Sequence, residues 1–130
     1  MTTLTVHDES ASGRRTNTFT LDCLTECMTV RELIRTRIYQ EVQDYNRKEP
    51  EYFRGLVEPT DAERVLNGCK LKAKRKIDWE EQYQRAIEAF ERNRFFVLVG
   101  DKQATGLDEK FEVKVETEVS FVKLVPLVRG

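Results

Sequence analysis

The stretch EVSFVKLVPL, Glu118–Leu127, decides how the chain is read. Its residues alternate in character, as in a strand with two unlike faces. Ser120, Val122 and Leu124 project one way, and Phe121, Lys123 and Val125 project the other. Lys123 is poorly suited to a dry core, so its face is expected to be at least partly wet. Val122 then belongs to the core. Phe121, Lys123 and Val125 become an exposed sheet face that carries apolar side chains, as partner-binding surfaces often do. The competing expectation is that helices from 50–93 fold back and cover this face. Pro126 cannot donate a ladder hydrogen bond, so it marks the end or an edge of the strand.

Immediately upstream, FFVLVG (Phe95–Gly100) is a continuous apolar run, expected of a strand covered on both sides. DKQATGLDE turns the chain, and FEVKVE (Phe111–Glu116) alternates again. At the other end, TTLTVHD (Thr2–Asp8) sets Leu4 and Val6 on one face and Thr3, Thr5 and His7 on the other. NTFTLDC (Asn17–Cys23) repeats the pattern with Phe19, Leu21 and Cys23, after a polar loop around Gly13. Both read as half-buried antiparallel strands.

Between these strand regions lies helical sequence. Thr29 and Glu32 have capping-box spacing, and Val30, Leu33, Ile34, Ile38, Val42 and Tyr45 recur at helical spacing up to Pro50. The spacing predicts a main helix over 30–46, with Ile34 and Ile38 buried against Leu4, Leu21 and Val122. A second capping-box pattern, Thr60 and Glu63, with Gly68 as a stop, predicts a short helix. Asp78 and Glu81 start another, on which Trp79, Tyr83, Ala86, Ile87 and Phe90 line one face.

Composition bounds what these elements do. A length of 130 residues suggests one domain, and 39% apolar residues suffice for a core. The formal net charge of -1 gives no overall bias toward nucleic acid or membrane. Cys23, Cys27 and Cys69 form neither a disulfide framework nor a zinc spacing, which points to a reducing, cytoplasmic setting and to no metal. No signal peptide and no long apolar run are visible. His7, the only histidine, reads as a surface side chain with no catalytic partners. No Gly-rich phosphate loop occurs. CKLKAKRK (Cys69–Lys76) lacks interleaved aromatics and reads as a solvated linker; Cys69 reads as an ordinary reduced thiol, the alternative being a thiol acidified by those lysines. Trp79 reads as a core residue, the alternative being an interface anchor.

The segment Phe95–Gly130, with its turn VGDKQ (Val99–Gln103), its strand start TEVSF (Thr117–Phe121) and its tail VPLVRG (Val125–Gly130), resembles ubiquitin and the thiamine and molybdopterin sulfur carriers. With TLTVHD and the capped helix, the resemblance covers about two thirds of the chain; residues 49–93 lie outside it. It implies an α+β fold of the ubiquitin-like β-grasp type, a mixed sheet packed on one main helix, to which the helical pattern of 49–93 adds an inserted two-helix segment. It also implies a modifier or carrier with no catalytic residues and no cofactor. The tail Pro126, Leu127, Val128 and Arg129 would lead to Gly130, whose carboxylate an adenylating enzyme would activate for transfer to a target protein or for conversion to a thiocarboxylate. Tails of the family end in two glycines, whereas this one ends Arg129–Gly130. Either Arg129 replaces the penultimate glycine, or the natural chain carries one glycine more. The alternative function is a non-covalent interaction module that uses the sheet face or the insert.

Overall fold

The computed structural model describes residues 2–65, 68–73 and 75–124. The chain forms two compact units, one from Met1–Leu33 with Ala89–Gly130 and one from Ile34–Glu88. The boundaries fall inside the two helices, α1 (Val30–Lys48) and α2 (Trp79–Glu91), and not at 49 and 93. Among the described residues no helix is long and apolar enough to cross a membrane.

The first unit is built on a five-stranded mixed sheet. Its strands are β1 (Thr2–Ser10), β2 (Arg15–Cys23), β6 (Phe95–Val99), β7 (Lys102–Gln103) and β9 (Glu118–Lys123), in the order β2-β1-β9-β6-β7. β9 runs parallel to β1 and antiparallel to β6. A small second sheet pairs β3 (Cys27–Thr29) with β8 (Lys110–Glu112). Only this short part of FEVKVE is strand; Val113 is buried and Val115 is 92% exposed.

The start of α1 is written in the sequence. The Thr29 amide donates to Glu32 Oε1 at 2.9 Å, and the Glu32 amide donates to Thr29 Oγ1 at 3.1 Å, a complete capping box. The Val30 and Arg31 amides, which a helix start leaves without helical partners, donate to the carbonyls of Glu109 and Leu107.

The core face of the sheet differs from the expectation. Leu4, Val6, Leu21, Val97, Val119 and Phe121 are completely buried, and Phe95 is nearly so. Phe95 and Phe121 lie with ring centroids 5.9 Å apart. Val122 is only half-buried and projects to the other face. Because side chains alternate with period two, Val119 and Phe121 together fix the orientation of the whole strand. Phe121 is therefore not part of an exposed apolar face. Lys123, on the same side, sits opposite Phe95 at the strand end and is half-buried. There a lysine can lay its aliphatic stem along apolar surface without taking its ammonium into the core.

The second unit contains most of both helices and a hairpin of β4 (Ala62–Val65) and β5 (Gly68–Leu71). The short helix predicted from Thr60 does not form. The Thr60 hydroxyl donates to Glu81 Oε1 at 2.9 Å and not to a capping partner at Glu63. Asp61 has φ 55°, which no helix start accepts. Phe53 and Cys69 exchange backbone hydrogen bonds of 2.8 and 3.0 Å, which hold β5 extended. Gly68 is needed at this point: its φ is +142°, and a Cβ there would lie 2.6 Å from the Phe53 carbonyl oxygen. The expected linker CKLKAKRK thus begins as a strand, with Cys69 and Leu71 buried.

Irregular segments of this unit are tied down by side chains. Arg37 is 1% exposed, and its Nε donates to Glu41 Oε2 at 2.9 Å. Glu41 Oε1 accepts from the Leu56 amide at 3.2 Å. Asn46 bonds both the carbonyl and the amide of Ile77, and Gln82 Nε2 donates to the Val57 carbonyl. Trp79 is half-buried, with Tyr39 edge-on at 5.3 Å and the Arg35 guanidinium 5.0 Å from its ring centroid.

Two substitutions in β9 report which face is dry. Phe121→Ala is expected to lower unfolding stability by about 3–5 kcal/mol, and Val122→Ala by about 1 kcal/mol or less. Urea unfolding with the reverse order would show that the core lies on the other side. In the second unit, Glu41→Ala removes one partner of the buried Arg37 together with the acceptor of the Leu56 amide, and is expected to cost about 2 kcal/mol. Glu41→Gln, which keeps an acceptor for the Leu56 amide, is expected to cost less; equal losses would place the effect elsewhere.

Candidate functional site

The sequence places the candidate site on β9 and the segment after it. Of the expected residues, Phe121 is in the core and Lys123 is half-buried. Val125, Pro126, Leu127, Val128, Arg129 and Gly130 lie outside the described residues. β9 continues through one more bond, from the Leu124 amide to the Arg94 carbonyl at 3.0 Å. The last described strand thus holds a central place in the sheet, between β1 and β6.

The face of the sheet opposite the core has two parts. Over β6 and β9, Phe96 and Leu98 register with Val122 and Ser120. Phe96, Leu98 and Val122 are half-buried, so the apolar surface of this face comes from these residues and not from Phe121. Over β2, β1 and β9 the same face is polar. His7 sits there between two partners, with Nδ1 2.9 Å from Thr18 Oγ1 and Nε2 2.6 Å from Glu118 Oε1. An ionised carboxylate only accepts, so Nε2 carries the hydrogen of that contact. The Thr18 hydroxyl donates to a neutral ring or accepts from a charged one. Beside this pair, Ser120 Oγ donates to Glu9 Oε2 at 2.9 Å, and Arg15 lies 3.6 Å from Glu9 and 4.0 Å from Glu118.

His7 corrects the sequence reading. It does project away from the core, yet it is only 5% exposed. Its central strand places neighbours on both sides, and Thr18 and Glu118 close over the ring. Nothing local marks this: Glu118 is 111 positions away. The Ser120 hydroxyl is directed to Glu9 and not to the imidazole.

The cysteines separate by environment. Cys27 is exposed, whereas Cys23 and Cys69 are buried. Burial pushes the Cys23 thiol up, and the charge of Asp22 adds to this. Burial also raises Cys69, with Glu58 adding to the shift and Arg64 opposing it. The acidified Cys69 weighed from its lysine-rich sequence is not found. Among the described residues no group of three or more His, Cys, Asp or Glu side chains could hold a metal ion.

Elsewhere in the first unit, Glu109 is held below the usual carboxylate range, first by the Thr105 amide and then by the Thr105 hydroxyl. Both contacts close the loop that precedes β8, with Thr105 N 2.9 Å and Oγ1 3.0 Å from Glu109 Oε1. This is a structural clasp.

No family model, curated protein or solved structure matches the chain. The candidate site therefore rests on the residues described above.

A thiol titration checks the cysteine assignment. Under native conditions one thiol, that of Cys27, is expected to react quickly with an aromatic disulfide reagent, and all three should react after unfolding. Fast native reaction of a Cys27→Ser variant would show that a buried thiol is open.

Proposed function

We propose that the chain is a ubiquitin-like β-grasp protein that works as a modifier or carrier through the segment 125–130 and the carboxylate of Gly130. The observation that carries this reading is the strand order β2-β1-β9-β6-β7, in which the last strand lies parallel to the first in the middle of the sheet. The N-terminal hairpin, the capped helix and the final strand beside the first support a β-grasp reading of the mixed sheet. In such a protein the final strand is anchored from both sides, and the chain beyond it is presented to another protein's active site.

The chemistry asks little of the domain itself. An oxygen of the terminal carboxylate attacks the α-phosphorus of ATP, and pyrophosphate leaves. The acyl-adenylate then passes its acyl group to a thiolate or a sulfur donor, and AMP leaves. Acid, base and nucleotide site belong to the activating enzyme. The partners are thus that adenylating enzyme and a target protein. A cytoplasmic location would supply both ATP and reduced thiols.

A second reading has its own support. Phe96, Leu98 and Val122 form a half-exposed apolar strip beside the His7 network, as a non-covalent interaction module would need. In that case Gly130 would be dispensable and the strip would not.

The two readings separate in one experiment. The protein with its natural C-terminus is incubated with ATP in an extract of its source, and the mass of its last peptide is followed. The modifier reading expects an adenylate, thioester, thiocarboxylate or isopeptide on that peptide, lost on deletion of Gly130. An intact terminus that acquires no adduct beside a demonstrably active adenylating enzyme overturns it.

A further inference from the structure

We propose that the second unit binds a small phosphate monoester in a cleft beside β5, with Arg75 and Lys72 on the phosphate and Glu49 and Glu51 on hydroxyl groups of its organic part. The cleft has a volume of ≈ 460 Å³, enough for a sugar phosphate or a mononucleotide. All of its described lining belongs to the second unit, so its use is independent of the modifier reading.

Three cations line the cleft, Lys70, Lys72 and Arg75, against two carboxylates, Glu49 and Glu51. The cations are held differently. Lys70 stands 3.8 Å from Glu51, a loose and exposed ion pair. Arg75 is anchored by uncharged oxygens. Its Nη2 donates to the Thr60 carbonyl at 2.6 Å and to Thr60 Oγ1 at 3.2 Å, and its Nη1 donates to the Lys76 carbonyl at 3.2 Å. These bonds fix the guanidinium, leave its charge uncompensated and leave N–H donors over for a ligand. Among the described residues Lys72 makes no ion pair, and its amide is tied to the Asp61 carbonyl at 2.9 Å. A fixed arginine beside a lysine, neither of them neutralised by a carboxylate, suits a phosphate group.

The rest of the lining selects among anions. Three cations against two carboxylates leave an excess of one positive charge, and Glu49 and Glu51 repel any further phosphate, so a polyanion such as nucleic acid fits poorly. Ionised carboxylates only accept hydrogen bonds, which makes them suited to the hydroxyl groups of a polyol. Tyr45, Pro50 and Leu71 supply surface for a carbon skeleton. The Tyr45 ring is held edge-on to Phe53, with centroids 5.3 Å apart. Burial pushes the Tyr45 phenol up; Cys69 and Glu49 add to this and Arg75 opposes it, so the hydroxyl keeps its proton at neutral pH and can donate. Sugar phosphates and mononucleotides share the chemistry this lining fits, one phosphate ester on a hydroxylated carbon frame.

Titration of the full chain, followed through its amide NMR signals, tests the site with ribose 5-phosphate, adenosine 5′-monophosphate and inorganic phosphate as probes. At least one ester is expected to shift the signals of 45–51 and 70–72 to saturation, and to bind at least about tenfold more tightly than inorganic phosphate. A preference for either ester supports the shared chemistry and names its source. Arg75→Gln should abolish binding, but it also removes the anchor to Thr60. Lys72 is exposed and makes no ion pair, so Lys72→Gln should keep the wild-type melting behaviour and still weaken the ester by about tenfold. Glu49→Gln should narrow the preference for the ester over inorganic phosphate. The proposal is overturned if neither ester gives a saturable shift up to about 10 mM. It is equally overturned if inorganic phosphate or a single-stranded oligonucleotide binds as tightly as the esters, or if Lys72→Gln binds them unchanged.

Discussion

The first unit depends on the insertion of β9 between β1 and β6. β9 pairs with residues 5–10 on one side and 95–99 on the other. Without it, the β1–β2 hairpin and the β6–β7 hairpin are separate two-stranded ribbons, which are marginal in water. The parallel pairing joins residues more than a hundred positions apart, so the entropy of closing a long loop precedes any gain from contact. That gain is concentrated in Val119 and Phe121, whose complete burial fixes the strand's register and its face together.

The same strand shows where sequence reasoning succeeds and where it fails. Its existence and its alternation were legible. Its orientation was not, because one lysine near the strand end outweighed one phenylalanine in the middle. Strand position decides such conflicts: Lys123 pairs at the last rung, where a long stem need not bury its charge in the core, while Phe121 lies deep between Val97 and Asp8. Pattern alone does not say how far a residue lies from the end of a ladder whose partner strands are remote in sequence. The helices show a related limit. Thr29–Glu32 and Thr60–Glu63 have the same spacing, yet only the first caps a helix. The first is followed by apolar residues at helical spacing through Tyr45. The second is followed by a stretch whose backbone finds partners at Phe53, a tertiary fact with no local trace.

The second unit is organised by polar side chains more than by periodicity. Arg37, Glu41, Asn46 and Gln82 all stand on helices, and the last three bond backbone groups of irregular segments. Burying such groups is costly unless their hydrogen bonds are made, so each one fixes the path of the chain it holds. This explains why 49–78 reads as linker and short helix from sequence, whereas its described residues include defined loop segments and the paired strands β4 and β5. Trp79 illustrates the point from the apolar side. Its stripe on α2 was legible, whereas the guanidinium of Arg35 and the edge of Tyr39 against its ring were not.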